Sequence, residues 1–281
     1  GQTGPHAGRG CSRTAWNGPQ FGLTALLYLA GQSLPVGGFA WSQGLAAAVE
    51  RGLAGTAEGV VLDVNRNTVM GDLTDSGEGA DLNIGSGATL TINDASSLSA
   101  STIQGSGTLA LHDTLALSGT ASLQGGVLLD LVKNGDSTGT LDLGSTTGNT
   151  VAGISGQGTL KSNGGALAVN TGNSGSGSVF SGTLEGRGQL NISGNAGQTL
   201  ENVITAAGSN WVINNTGRLN IKMGGTVEDP RANTALTLSS LTLGDGSSTN
   251  LTFNTDYAGP IISVTGNISI SQGAEITLSS T

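Results

Sequence analysis

The sequence predicts an all-β fold: a parallel β-helix (solenoid) with a short helical N-terminal leader. Three observations lead to the solenoid. The chain holds 49 glycines in 281 residues with only 5 prolines and no strict Gly-x-y period, which excludes collagen. Charged residues make up 10% while Leu, Ile and Val recur throughout, whereas disordered chains carry high charge and few aliphatics. The aliphatics come in alternating pairs between turn signals, the pattern of short strands and tight corners.

Residues 1–59 form the first unit. They carry five of the nine aromatics and three of the five prolines. Phe21 to Ala30 has the length of a signal-peptide core, but Pro19 precedes it and no small-residue cleavage site follows promptly. Ser42 can cap a helix whose Leu45, Val49 and Leu53 form an i, i+4, i+8 stripe, with Gly52 and Gly55 as a stop. Leu34-Pro-Val-Gly-Gly then makes a turn between two helices. The run Leu34-Pro-Val-Gly-Gly-Phe-Ala-Trp-Ser-Gln-Gly-Leu45, with Ala48-Val49-Glu50 and Gly52, resembles the N-terminal region of the urease accessory protein UreF. That resemblance covers about residues 26–53 and implies an all-helical protein that helps deliver nickel to urease. The remaining helices of such a domain do not follow, and a fragment this short cannot bury a helical core of its own. The leader is therefore expected to be an incomplete, foreign piece.

Residues 60–281 form the second unit. Leu90-Thr91-Ile92, Leu115-Ala116-Leu117, Leu141-Asp142-Leu143, Leu167-Ala168-Val169, Leu190-Asn191-Ile192 and Leu219-Asn220-Ile221 each place two apolar side chains on one strand face. Their starts step by 25, 26, 26, 23 and 29 residues. Leu109/Leu111, Leu236/Leu238, Leu241/Leu243 and Leu251/Phe253 are further pairs outside that series. Asn134-Gly135, Gly164-Gly165, Gly224-Gly225 and Asp245-Gly246 are expected to turn the chain between them. Isolated hairpins of such strands bury little apolar surface, so stacking is the favoured solution. About nine coils would make a rod on the order of 40 Å long; a β-sandwich is the second architecture.

Gly105-Ser-Gly-Thr-Leu, Gly156-Gln-Gly-Thr-Leu and Gly186-Arg-Gly-Gln-Leu share the phrase G-x-G-x-L. Its fullest form is Phe180-Ser-Gly-Thr-Leu-Glu-Gly-Arg-Gly-Gln-Leu-Asn-Ile-Ser-Gly194. This resembles the autotransporter-associated β-strand repeat, and Leu243-Gly-Asp-Gly-Ser, Leu251-Thr-Phe-Asn and Val264-Thr-Gly-Asn-Ile-Ser-Ile look like coils of the same kind. The resemblance implies a right-handed β-helical passenger of a Gram-negative autotransporter, exported to the cell surface by type V secretion as an adhesin or for self-association. Its partners would be a host surface, extracellular matrix or like passengers on neighbouring cells. The C-terminal translocator β-barrel of such proteins, with its aromatic girdles, is missing from this chain, so the sequence is expected to be an internal piece.

Charge and composition narrow the function. Residues 1–59 carry Arg9, Arg13 and Arg51 against Glu50 and Glu58, while the remainder has seven basic and seventeen acidic residues. Such an acidic surface repels nucleic acid and anionic lipid. No apolar span is long enough for a transmembrane helix. Cys11 stands alone, so no disulfide forms within the chain.

No catalytic, cofactor-binding or metal site is expected. Asp72, Asp75, Glu78 and Asp81 recur every three residues and could gather round calcium, but they lack both the D-x-D-x-D-G loop and the G-G-x-G-x-D-x coil. Glu228-Asp229-Pro230-Arg231 is expected to be a solvated loop, and His112 beside Asp113 a surface histidine. Asn191, Asn214, Asn250 and Asn267 head glycosylation sequons of the kind an Asn/Ser/Thr-rich chain generates by chance. Trp211 is expected to fill the core and not to stack on a sugar. A polysaccharide-degrading β-helix enzyme is the main alternative. It would need carboxylates converging in a groove, whereas the acidic residues here are mostly single and scattered. A truncated UreF-like protein fused to an unrelated segment is the other.

Overall fold

The computed structural model describes residues 61–75, 79–172, 177–224, 235–253 and 259–280. The expected leader helix and the boundary near residue 59 lie outside them. Within them the chain is all-β, and its strands stack in parallel as a solenoid of about nine turns.

Each turn of the chain contributes one strand to each of three faces. The first face begins with Val61–Val64, Asp81–Ile84, Thr102–Gly105 and Ser122–Leu123, hydrogen-bonded in that order. The second face is an unbroken ladder of ten strands: Thr68–Met70, Thr89–Ile92, Thr108–Leu111, Leu128–Leu131, Gly153–Gly156, Ser178–Phe180, Gln198–Glu201, Arg218–Met223, Ser248–Phe253 and Glu275–Ser280. Nine spacings of about 4.8 Å give a rod of roughly 43 Å. The third face runs through Ser96–Leu98, Thr114–Leu117 and Thr140–Asp142. From there the third and first faces merge, because Thr159–Asn170 and Thr183–Ser193 cross from one to the other without a break.

Alternation builds the core. Leu90, Leu109, Leu129 and Ile154 are register partners on the second face, and Leu115, Leu141, Leu160 and Leu184 on the third. All eight are fully buried. Each aliphatic side chain so placed contributes about 1.5–3 kcal/mol. The residues between them point outward. At the C-terminal end Ile268, Ile270, Ile276 and Leu278 occupy inward positions by register, yet they are exposed because no described coil lies above them.

The regular step inferred from the apolar pairs holds for two of its five steps, Leu115 to Leu141 and Leu167 to Leu190, which are register partners, and is corrected for the other three. Leu90 stacks on Leu109, not on Leu115, and Leu141 stacks on Leu160, not on Leu167. The series, stepping by 23 to 29 residues, passes from the second face to the third, then to the first, and back to the second. Three apolar pairs per turn made this slip possible.

The G-x-G phrase has one geometry and several places. Gly156 has φ 92°, and a β-carbon there would collide with the Leu131 carbonyl oxygen of the coil below; at Gly158 it would strike the Gly139 carbonyl. Only glycine combines the left-handed backbone with that close approach. Gly105 and Gly107 turn the chain from the first face to the second, Gly156 and Gly158 from the second to the third. Gly186 and Gly188 lie inside the strand Thr183–Ser193. Gly164-Gly165, expected as a turn between strands, likewise sits inside Thr159–Asn170 and marks a register shift.

Coils of unequal length leave gaps in the ladder, and buried amides fill them. Strands Gly153–Gly156 and Ser178–Phe180 share the single pair Gly156–Phe180. The fully buried Gln198 reaches down from the next strand and closes the gap. Its Nε2 donates to the carbonyl of Ile154 at 2.9 Å, and its Oε1 accepts from the Ile154 amide at 3.0 Å. Buried Asn149 plays the same part on the first face. Its Oδ1 accepts from Leu123 N at 3.1 Å, and its Nδ2 donates to Thr146 Oγ1 at 2.9 Å. A buried polar side chain is tolerated when its bonds replace those the backbone would otherwise lose.

Candidate functional site

The outward residues form polar columns along the rod. Asn214 Nδ2 donates to Asn191 Oδ1 at 2.8 Å, Asn83 Nδ2 to Asp63 Oδ1 at 2.8 Å, and Ser155 Oγ to Asp130 Oδ1 at 3.1 Å. Short side chains one coil apart meet because parallel register places like positions about 4.8 Å from each other. On the third face Lys161 pairs with Asp142 at 3.2 Å. The hydrogen bond to Asp142, its charge and the nearby Glu185 raise the Lys161 pKa above its ordinary value.

Where the third and first faces merge, the surface sinks into a shallow polar depression of about 410 Å³. Gly164, Gly165, Arg187, Gly188, Gln189, Asn210, Val212 and Ser239 line it. Its shape follows from the sequence. Three glycines remove side chains from the middle of the surface, and the buried indole of Trp211 presses against Gly188 from beneath. A β-carbon on Gly188 would lie 2.5 Å from Trp211 Cη2. Asn163, Arg187 and Asn210 are register partners in one column. Gln189 Nε2 donates to Asn191 Oδ1 at 2.7 Å, which holds its amide in place. Arg187 is exposed, and no hydrogen bond or ion pair engages its guanidinium among the described residues. Sequence reasoning missed Arg187. The available signal was a cation at the variable position of G-x-G in a chain of few charges.

The residues singled out beforehand fall as follows. Trp211 is fully buried, and its Nε1 donates to the Glu185 carbonyl at 3.3 Å, as expected of a core residue. Asp75 serves the backbone. Its carboxylate accepts from the amides of Ser99, Ala100 and Ser101 at 2.9 Å and from Ser99 Oγ at 2.6 Å. Partial burial pushes its pKa up. The Ser99 hydroxyl and the run of amides outweigh burial and hold the carboxyl well below the usual carboxylate range. Asp72 and Asp81 are exposed, and Glu78 lies outside the described residues. Among the described residues no three His, Cys, Asp or Glu side chains are grouped to hold a metal ion. His112 is half-buried, and no bond joins it to Asp113, whose Oδ1 accepts from Thr114 N at 2.6 Å. The loop Glu228-Asp229-Pro230-Arg231 lies outside the described residues. Among those residues no helix is long and apolar enough to cross a membrane, which says nothing of a β-barrel.

Comparison with known proteins yields one short likeness, in the N-terminal part of the chain. Over 45 residues the sequence is 60% identical to a urease accessory protein UreF of Delftia acidovorans. The aligned stretch is 15% of this chain and 19% of that protein, so the chain spans about a fifth of the relative's length. No known family profile matches the chain. No solved structure matches it.

Proposed function

We propose that this chain is a non-catalytic passenger segment of a Gram-negative autotransporter, displayed at the cell surface and acting in adhesion or self-association. The observation that carries this reading is the set of outward polar columns on a long, regular stack of coils. Side chains such as Asn191, Asn214, Asp63 and Asn83 are tied to their neighbours one coil away. A surface fixed in this way loses little side-chain entropy on contact. Many weak hydrogen bonds along a rod add through multivalency, so no single residue need dominate. The G-x-G-x-L phrases and their likeness to autotransporter repeats supply the secretion route in this reading. The UreF likeness stays within the leader and covers a small part of that protein, so nickel delivery is not proposed.

The test is adhesion of beads coated with the full chain at graded densities. Targets are cell layers, matrix proteins and beads carrying the same chain. Adhesion to at least one target that rises steeply with coating density supports the reading. Adhesion no greater than that of albumin-coated beads on every target refutes it.

A further inference from the structure

We infer that the depression where the third and first faces merge binds a carboxylated saccharide, with Arg187 taking the carboxylate and Gln189 and Asn210 the sugar hydroxyls. The proposal deepens the adhesion reading and rests on it for its biological setting, while the binding itself is measured apart from adhesion.

Four observations carry it. Arg187 is a free, exposed guanidinium, whereas the nearby basic residue Lys161 is already engaged by Asp142. A free planar fork of donors matches a carboxylate in bidentate fashion. The depression is shallow and open, about 410 Å³, so a ligand larger than a lone ion can lie across it. Its other polar groups are neutral amides and a hydroxyl: Gln189, Asn210 and Ser239. Such groups both donate and accept, as a diol requires. Gln189 is further oriented by its bond to Asn191.

The same observations disfavour other anions. The strands that form the depression are paired on both sides, Thr183–Ser193 between Thr159–Asn170 and Asn210–Asn215. No open edge remains there for an extended acidic peptide to join. A formal net charge of −9, with Arg187 the cation lining the site among the described residues, opposes nucleic acid. Glycine removes steric bulk from the middle of the surface, so a sugar ring can approach the backbone closely. Glu185, two residues before Arg187 and exposed, is the nearby like-charged group. Its charge also acts on the Lys161 ammonium, its register partner one coil away.

The experiment titrates the purified full chain with oligogalacturonate and with its neutral methyl ester, following backbone amide resonances. Oligogalacturonate is expected to shift Arg187, Gln189 and Asn210. The methyl ester and the Arg187→Gln variant should each weaken binding about tenfold or more. Arg187→Lys should weaken it several-fold, because the charge stays but the fork is lost. Thermal unfolding of Arg187→Gln should match the wild type, since Arg187 supports no contact. Absence of binding at millimolar sugar overturns the proposal. So does binding that ignores both the ester and Arg187→Gln, or shifts confined to another face. Sugar binding without bead adhesion would fail the adhesion reading and leave this site standing. Adhesion without sugar binding would do the reverse.

Discussion

Replacing Gln198 by Leu should open the rod between two particular coils. The leucine keeps comparable bulk and improves apolar contact with Leu219, its register neighbour above. It removes the amide that satisfies both the N–H and the C=O of Ile154, bonds of 3.0 and 2.9 Å. The Ser178 carbonyl loses its 3.2 Å bond as well. Each buried backbone group left without a partner costs about 1–3 kcal/mol. The two Ile154 groups alone cost about 2–6 kcal/mol, and the added apolar burial returns about 1 kcal/mol of that. A net loss of about 1–5 kcal/mol is expected. The ladder cannot compensate locally, because Gly156–Phe180 is the sole pair between those strands. Coil stacks open locally, so amide hydrogen exchange at Ile154 is the sensitive readout, with chemical denaturation as its companion. Loss of protection at Ile154, with little change at Leu109 or Leu129, is the predicted result. An unchanged Ile154 and an unchanged denaturation midpoint would refute the reasoning. The two strands would then be closing directly on each other without help from a side chain.

Gly188→Ala should cost about 1–3 kcal/mol, because its β-carbon would meet three ring carbons of Trp211 at 2.5–2.7 Å in a packed core. Near-ultraviolet circular dichroism and thermal unfolding check it. Leu141→Ala, at a fully buried position between Leu115 and Leu160, should cost about 2–5 kcal/mol by denaturation. Asp75→Asn should destabilise the protein by about 1–2 kcal/mol at pH 7 by weakening the cradle of amides. The folded pKa of Asp75 is depressed below its unfolded value of about 3.9, so its contribution is present above that value and fades as pH falls through the folded pKa. The gap between wild type and Asp75→Asn should therefore shrink below about pH 4 in denaturation series; a gap that widens there contradicts the assignment.

Much of the fold was legible because its rule is local. Leu-x-Leu alternation with glycine corners places side chains in or out without reference to distant residues, and every pair in the series from Leu90 to Ile221 is buried, Leu115 at 0% and Leu117 at 2% among them. Register was legible only for Leu115 to Leu141 and Leu167 to Leu190, since each turn presents three similar apolar pairs and coil length varies. Thr89 to Thr108 spans 19 residues, whereas Arg218 to Ser248 spans 30. Gly164-Gly165 misled for a related reason: the glycines that turn a chain at one corner bend a continuous strand at another. Asp75 was noticed for its spacing, but its role lies in amides 24 to 26 residues away. Gln198 was legible in part. It alternates with Leu200 and so stands where an apolar residue belongs, but the need it meets arises two coils below. Arg187 was hidden by its own motif, whose glycines drew attention to the repeat and not to the residue between them.

Disulfide trapping tests the stacking most directly, in a Cys11→Ser background of the full chain. Outward Thr91 and Ala110 are register partners on adjacent coils, within the reach of a disulfide at about 4.4–6.8 Å between α-carbons. Thr91 and Ala116 are the pair that the 25-residue step would join. Efficient intramolecular oxidation of Thr91→Cys/Ala110→Cys, with none for Thr91→Cys/Ala116→Cys, is the predicted result. Oxidation of the second pair in preference to the first would contradict the three-faced stack.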